Sequence, residues 1–212
     1  MVQTYRRRLL DELLFQYNDQ MNGLVVDLGG KRKNRRGLFQ FPENKEVMTQ
    51  WVTVNISQDA EPNVCGDAHL LPFPSNSVDC LLCCEVLEHV IDPSRCCKEI
   101  WRVLKLGGVA YLSVPFIFPI HADPDDYQRF TPSGIKILLN DFELINIIPM
   151  GGSIGTLGGL IVNTGNTLEH NPLVRKFVKL VGRIMIWIET KFGSSKVQGP
   201  ISTGYFVEVC KL

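Results

Sequence analysis

GDAHLLPFPSNSVDCLLCCEVLEHV, residues 66–90, decides how the rest of the chain is read. Its first half is dense in turn-forming residues, with Pro72, Pro74, Ser75, Asn76 and Ser77 in close succession. Its centre, VDCLLCC at 78–84, has the length of a strand and is apolar enough to be buried on both faces. Cys80 and Cys83 form a nominal C-x-x-C, but an offset of three on a strand sends the two sulfurs to opposite faces. They read as core, and no metal site is expected.

C-terminal to this block, IDPSRCCKEIWRVLKLGG (91–108) is the clearest helix of the chain. Asp92 suits the N-cap and Pro93 the first helical position. Cys96, Cys97, Ile100, Trp101, Val103 and Leu104 make the apolar stripe, and Gly107-Gly108 is expected to close it. VAYLSVP (109–115) follows as a strand, Thr131-Pro132 opens a short helix through Leu139, and FELINII (142–148) and GYFVEVCK (204–211) read as further strands. N-terminal to the block, residues 5–21 place Leu10, Leu13, Leu14, Tyr17 and Met21 on one helical face. GLVVDLGG (23–30) is a buried strand stopping at a turn, and WVTVNIS (51–57) is a second strand ending at Asn55. No internal repeat is visible. Strands alternating with helices or loops imply a parallel α/β sheet, whose ligands bind beyond the carboxyl ends of the strands. Asp27, Gly29, Gly30, Asn55, Asp67, Cys84, Glu85 and the loop Pro115–His121 all fall at such ends.

Composition agrees with one globular domain. The chain has 212 residues, 45 % apolar, with 22 Lys+Arg against 22 Asp+Glu and no net charge. Disordered and low-complexity classes are excluded. A neutral total argues against a general nucleic-acid partner. Seven cysteines, mostly inside apolar runs, suit a reducing compartment, so a cytoplasmic protein is expected. No signal peptide and no run long enough to span a membrane is read.

The order VVDLGG, VNIS, GDAHLLPFPSNSVDCLLCCEVLEHV and EIWRVLKLGGVAYLSVP resembles the class I S-adenosylmethionine-dependent methyltransferases, and most closely their type 11 group. The resemblance covers roughly residues 22–148, with 204–211 matching the family's last strand. It implies a Rossmann-like α/β sheet, mostly parallel with the last strand antiparallel, and helices on both faces. The implied cofactor is S-adenosyl-L-methionine. Gly29 and Gly30 would let the backbone approach its methionine part, and Asp27 would orient that turn or reach the amino group. Asn55 stands where the family has an acid that binds the ribose. Asp67 would accept from the adenine amino group, the Ala68 N–H would meet a ring nitrogen, and Cys84 and Glu85 would line the site beside the methyl. The first motif departs from the family pattern, because Lys31 and Lys33 replace later glycines.

The segment PIHADPDDYQRFTPSGIKILL (119–139) resembles a subgroup often found with sugar enzymes, which suggests a small-molecule or glycan acceptor, free or lipid-linked, methylated on oxygen. His121 is the candidate base, with a pKa suited to neutral pH. Asp126 and Arg129 are candidate site residues or an ion pair holding the loop. Tyr127 would stack on a sugar or pack. His89 reads as a brace at a helix start, and Trp51 and Trp101 as core. The basic run KRKNRR (31–36) is a solvated loop or a phosphate contact.

Residues 150–203 form an insertion that this family's core does not need. On a helical wheel of 173–192, Arg175, Lys176, Lys179 and Arg183 share one sector, with Leu173, Phe177, Leu180, Val181, Ile184, Met185, Trp187 and Ile188 opposite. Three uses of the apolar face remain open: packing on its own domain, a homodimer, or peripheral contact with an anionic membrane at the cytoplasmic face. The function expected is a methyltransferase. The alternative is an inactive methyltransferase-like module that binds through the 150–203 helices. A dinucleotide-binding dehydrogenase is disfavoured, since G-x-G-x-x-G is missing from the first turn.

Overall fold

A computed structural model describes residues 3–31, 37–39, 49–122, 124–168, 171–193 and 200–212. In chain order the elements are α1 (Tyr5–Tyr17), β1 (Leu24–Leu28), β2 (Gln50–Asn55), β3 (Val64–Cys65), β4 (Val78–Cys84), α2 (Pro93–Val103), β5 (Leu104–Pro115), α3 (Pro132–Leu138), β6 (Glu143–Met150), α4 (Ser153–Thr167), α5 (Pro172–Phe192) and β7 (Gly204–Cys210). The strands form one sheet in the order β3-β2-β1-β4-β5-β7-β6. Every neighbour is parallel except β7, which runs antiparallel to both β5 and β6. This is the sheet expected from the sequence, with the two-residue β3 as an unforeseen edge.

The period-2 geometry of the strands divides the core in two. Val26, Leu81, Cys83, Ala110 and Leu112 face α2 and α3. Val25, Cys80, Leu82, Cys84 and Tyr111 face α1, where Leu10, Leu14, Tyr17 and Met21 cover them. Cys80 and Cys83 therefore do lie on opposite faces. Asp92 accepts from the Arg95 N–H and Thr131 from the Gly134 N–H, each ahead of a proline at the start of its helix.

Two sequence expectations about α2 are corrected. The helix stops at Val103, before Gly107-Gly108, and β5 begins at Leu104 without a loop. Gly107 adopts φ 75° so that its N–H reaches the Lys211 carbonyl, which in turn fixes Gly108 to the end of β7. Trp101 lies at the surface, 37 % exposed, with the Lys211 ammonium 3.9 Å from its ring centre. Trp51 is half-buried against the α1 side of the core.

The 150–203 insertion is an antiparallel-sheet connection filled by two helices. Glu189 of α5 accepts from the Gly152 and Gly155 N–H groups, both at 2.8 Å, and from the Tyr5 hydroxyl. A carboxylate thus sits on the N-terminus of α4, where the helix dipole favours it. The two helices touch backbone to backbone: a Cβ on Gly158 would come within 2.6 Å of the Gly182 carbonyl. Gly182 is the only buried residue of α5. The side of α5 that packs is therefore the strip around Gly182, and the broad apolar face points away from the domain. The expectation that this face could pack on its own domain is not met among the described residues. No helix among them is long and apolar enough to cross a membrane.

Candidate active site

The carboxyl ends of β1, β2, β3 and β4 lie side by side and bring Asp27, Gly29, Gly30, Asn55, Asp67, Cys84 and Glu85 to one edge of the sheet. Gly29 leaves β1 with φ 74° and donates to the Val54 carbonyl, so the turn crosses toward β2. Gly30 must be glycine, because a Cβ would sit 2.6 Å from the Asp27 carboxylate. Asp27 thus shapes the turn. Lys31 is the only residue of the 31–36 basic run that is described; Lys33 and the rest lie outside the described residues.

Asn55 is already engaged. Its amide donates to the Gly29 and Gly30 carbonyls at 3.0 and 3.2 Å, and its oxygen accepts from the Ser57 N–H at 2.9 Å. An aspartate could not donate to those carbonyls, which gives a physical reason for the amide in this chain. Asp67 is exposed, and one of its oxygens accepts from the His69 N–H and ring at 2.9 and 2.7 Å. The His69 backbone hydrogen bond, with help from its ring, holds Asp67 below the usual carboxylate range. Ala68 is buried beside it.

Cys84 and Glu85 do not fill the roles expected of them. The Cys84 side chain is buried under α1. Glu85 has φ 57°, and its carboxylate turns to Arg6 and the Ser113 hydroxyl. The Arg6 side chain, 3 % exposed, also donates to the Thr203 carbonyl at 3.3 Å and stacks over Phe118. Beyond it opens a cavity of about 420 Å³ lined by Arg6, Arg8, Phe118, Leu160, Lys179 and Ile186, among others. Thr156 lies on its wall, buried, with a hydroxyl that has no partner among the described residues.

The loop after β5 holds His121, Asp126 and Arg129. Arg129 grips Asp126 through both terminal nitrogens and adds bonds to the Gln128, Phe118 and Pro119 carbonyls. Asp126 also accepts from the His121 N–H at 2.9 Å. Arg129, with burial opposing, holds the Asp126 carboxyl far below the usual range. With their polar atoms spent on each other and on the loop, both residues position His121 rather than meet a substrate. Tyr127 is exposed, and its hydroxyl donates to Asp125.

His121 faces a residue the sequence reading passed over. The buried Glu88 carboxylate lies 3.6 Å from its Nε2 and raises its pKa above the ordinary imidazole value. His89 does not brace a helix. It occupies a 3-10 turn, Leu87–His89, and its Nε2 lies 3.8 Å from the same carboxylate. The signal in the sequence was the pair Glu88-His89 directly after a strand end. A buried acid there reads as a site only once the loop bearing His121 is placed above it.

A model of a methyltransferase domain matches residues 43–112. This stretch of the chain is similar to the type 11 methyltransferase domain. The chain is 36 % identical over 110 residues to the chloroplastic 2-methyl-6-phytyl-1,4-hydroquinone methyltransferase 1 of rice, covering 46 % of the chain and 31 % of the relative. It is 29 % identical over 163 residues to the ubiquinone/menaquinone biosynthesis C-methyltransferase of Vibrio cholerae, covering 66 % and 63 %. The chain therefore spans less than two thirds of the length of these relatives. Among solved structures, a SAM-dependent methyltransferase from Archaeoglobus fulgidus superposes with a TM-score of 0.59 at 17 % identity, over 97 % of this chain and 94 % of that one. That likeness is one of fold.

Proposed function

We propose that this chain transfers a methyl group from S-adenosylmethionine to a small, hydroxylated and largely apolar acceptor. The observations that carry the reading are a glycine turn shaped by Asp27 and an exposed, ionised Asp67 at the strand ends, with a cavity lined by Arg6, the partner of Glu85. In this reading Gly29 and Gly30 admit the methionine part of the cofactor. Asp67 accepts from the adenine amino group with its second oxygen. Asn55 braces the glycine turn and has one lone pair left for a ribose hydroxyl.

The cofactor supplies a sulfonium methyl open to direct displacement. The protein's part is to align the acceptor, exclude water and receive a proton. His121 lies edge-on to Phe118, a ring of the cavity wall, with ring centres 5.1 Å apart, and in this reading takes that proton. The mixed wall, with Phe118, Leu160 and Ile186 beside Arg6, Lys179 and Arg183, suits an apolar acceptor with an acidic or hydroxylated head better than a neutral glycan. The relatives' names, a hydroquinone methyltransferase and a C-methyltransferase of ubiquinone/menaquinone biosynthesis, support an apolar acceptor.

The outward face of α5 supports a lipid-borne acceptor. Phe177 is 65 % and Trp187 55 % exposed, and Lys176 and Arg183 border the apolar stripe. A helix of this kind lies in the interface of an anionic bilayer. The same hairpin lines the cavity, so such docking would bring the cavity to the membrane.

Calorimetry with S-adenosylhomocysteine tests the first part. Binding is expected, and Asp67→Ala should weaken it at least tenfold. No heat and no thermal shift at millimolar ligand would overturn the methyltransferase reading. For the second part, the protein should sediment with phosphatidylglycerol vesicles at low salt, and a Phe177→Ser/Trp187→Ser variant should stay in the supernatant. A wild-type protein that stays in solution and elutes as a dimer assigns the face to a second copy instead.

A further inference from the structure

Glu88 is fully buried, and neither of its carboxylate oxygens has a hydrogen-bond partner among the described residues. His121 Nε2 lies 3.6 Å and His89 Nε2 3.8 Å from its Oε1. One ligand atom from each of the three side chains lies within 4.8 Å of the others.

The tautomers make this convergence informative. His89 Nδ1 lies 2.5 Å from the Asp125 carbonyl oxygen, and His121 Nδ1 lies 3.3 Å from that of Pro119. A carbonyl only accepts, so each Nδ1 carries a proton, and Nε2 is the ring atom that each histidine turns toward the carboxylate. With both rings neutral and Glu88 ionised, three acceptors face one another, in a place where an unpaired carboxylate is costly. A cation resolves that conflict. A metal-bound histidine commonly anchors its other nitrogen on a backbone carbonyl, which is the arrangement of both rings here.

The surroundings are rigid. The Tyr127 N–H donates to the Glu88 carbonyl at 2.8 Å, Gln128 reaches the Val90 carbonyl at 3.3 Å, and the Arg129–Asp126 pair holds the His121 backbone. Ligands about 2.1 Å from a common ion stand about 3–4 Å apart, and both measured separations fall in that range.

We propose that Glu88, His89 and His121 bind one divalent transition-metal ion. Two imidazoles with one carboxylate suit manganese, iron, cobalt or zinc rather than calcium or magnesium. Glu88 closes the site from below, and the part-exposed His121 leaves positions open on the side of the acceptor loop.

This assignment rests on the methyltransferase reading for its use. An acceptor hydroxyl bound to the ion is acidified and releases its proton to solvent. Its oxygen lone pair forms the new O–CH3 bond while the S–CH3 bond breaks and its electron pair stays on sulfur. His121 then acts as a ligand instead of the base.

The test is a Mn2+ titration of the chelator-treated protein, read by loss of the free-ion electron paramagnetic resonance signal. One equivalent is expected to bind, with Glu88→Gln and His121→Ala each weakening affinity at least tenfold while the melting transition stays cooperative. His121→Ala lies on a part-exposed loop and keeps the test valid if the buried Glu88 variant fails to fold. No binding, or binding unchanged in His121→Ala, overturns the site. S-adenosylhomocysteine calorimetry on the same sample separates the two readings. Cofactor binding without Mn2+ binding removes the metal site and leaves the methyltransferase. Mn2+ binding without cofactor binding supports the site and removes its assignment to methyl transfer.

Discussion

Helix α2 turns Cys96, Cys97, Ile100 and Val103 into the sheet, and each is buried. Helix α5 carries a longer apolar stripe, yet Leu173, Phe177, Leu180, Ile184 and Trp187 face outward. Both stripes have the helical period, so the period alone does not say what covers them. Connectivity does. Helix α2 joins the parallel neighbours β4 and β5, and a crossover between parallel strands must pack back on the sheet. Helices α4 and α5 join the antiparallel neighbours β6 and β7, which a short turn could connect. Nothing in the topology forces that insertion onto the sheet, so its apolar face is available for something else.

Substitutions along the two helices test this contrast. Ile100→Ala should cost about 2–5 kcal/mol in urea denaturation, because it opens a cavity in the main core. A loss below about 1 kcal/mol would show that α2 is held less tightly than its burial implies. Gly158→Val should cost about 1–3 kcal/mol by forcing α4 and α5 apart. Hydrogen exchange should show faster exchange in those two helices, with β4 and β5 still protected. Glu189→Gln should cost about 1 kcal/mol, since it weakens the charged cap on α4. Ile184→Ala should change stability by no more than about 0.5 kcal/mol without lipid. A loss near that of Ile100→Ala would break the comparison, because the α5 face would then be covered in solution.

Most of the fold is legible in the sequence because its signals are local. Turn residues bound each strand, and Asp92-Pro93 and Thr131-Pro132 mark their helices directly. Gly107-Gly108 misled because the same residue type that stops a helix also permits the φ 75° needed within β5. The site is less legible, since its meaning lies in what each side chain meets. Nothing in VNIS shows that the Asn55 amide will bond to two carbonyls of the glycine turn. Glu85 looked available to a cofactor until Arg6 arrived from α1. Glu88 drew no reading, because the histidine above it comes from a different loop.

Arg6 also constrains the order of assembly. Its guanidinium bonds to Glu85 at the end of β4 and to the carbonyl of Thr203 just before β7, 197 residues further along the chain. During synthesis α1 leaves the ribosome before β7, and that anchor is incomplete until β7 has been made. The early helix must keep Leu10 and Leu14 from other partners in the meantime. Contacts of such long sequence separation close slowly and leave apolar surface open while they wait. The Arg6 anchor is thus complete only once the segment leading into β7, which lies between β5 and β6, is present.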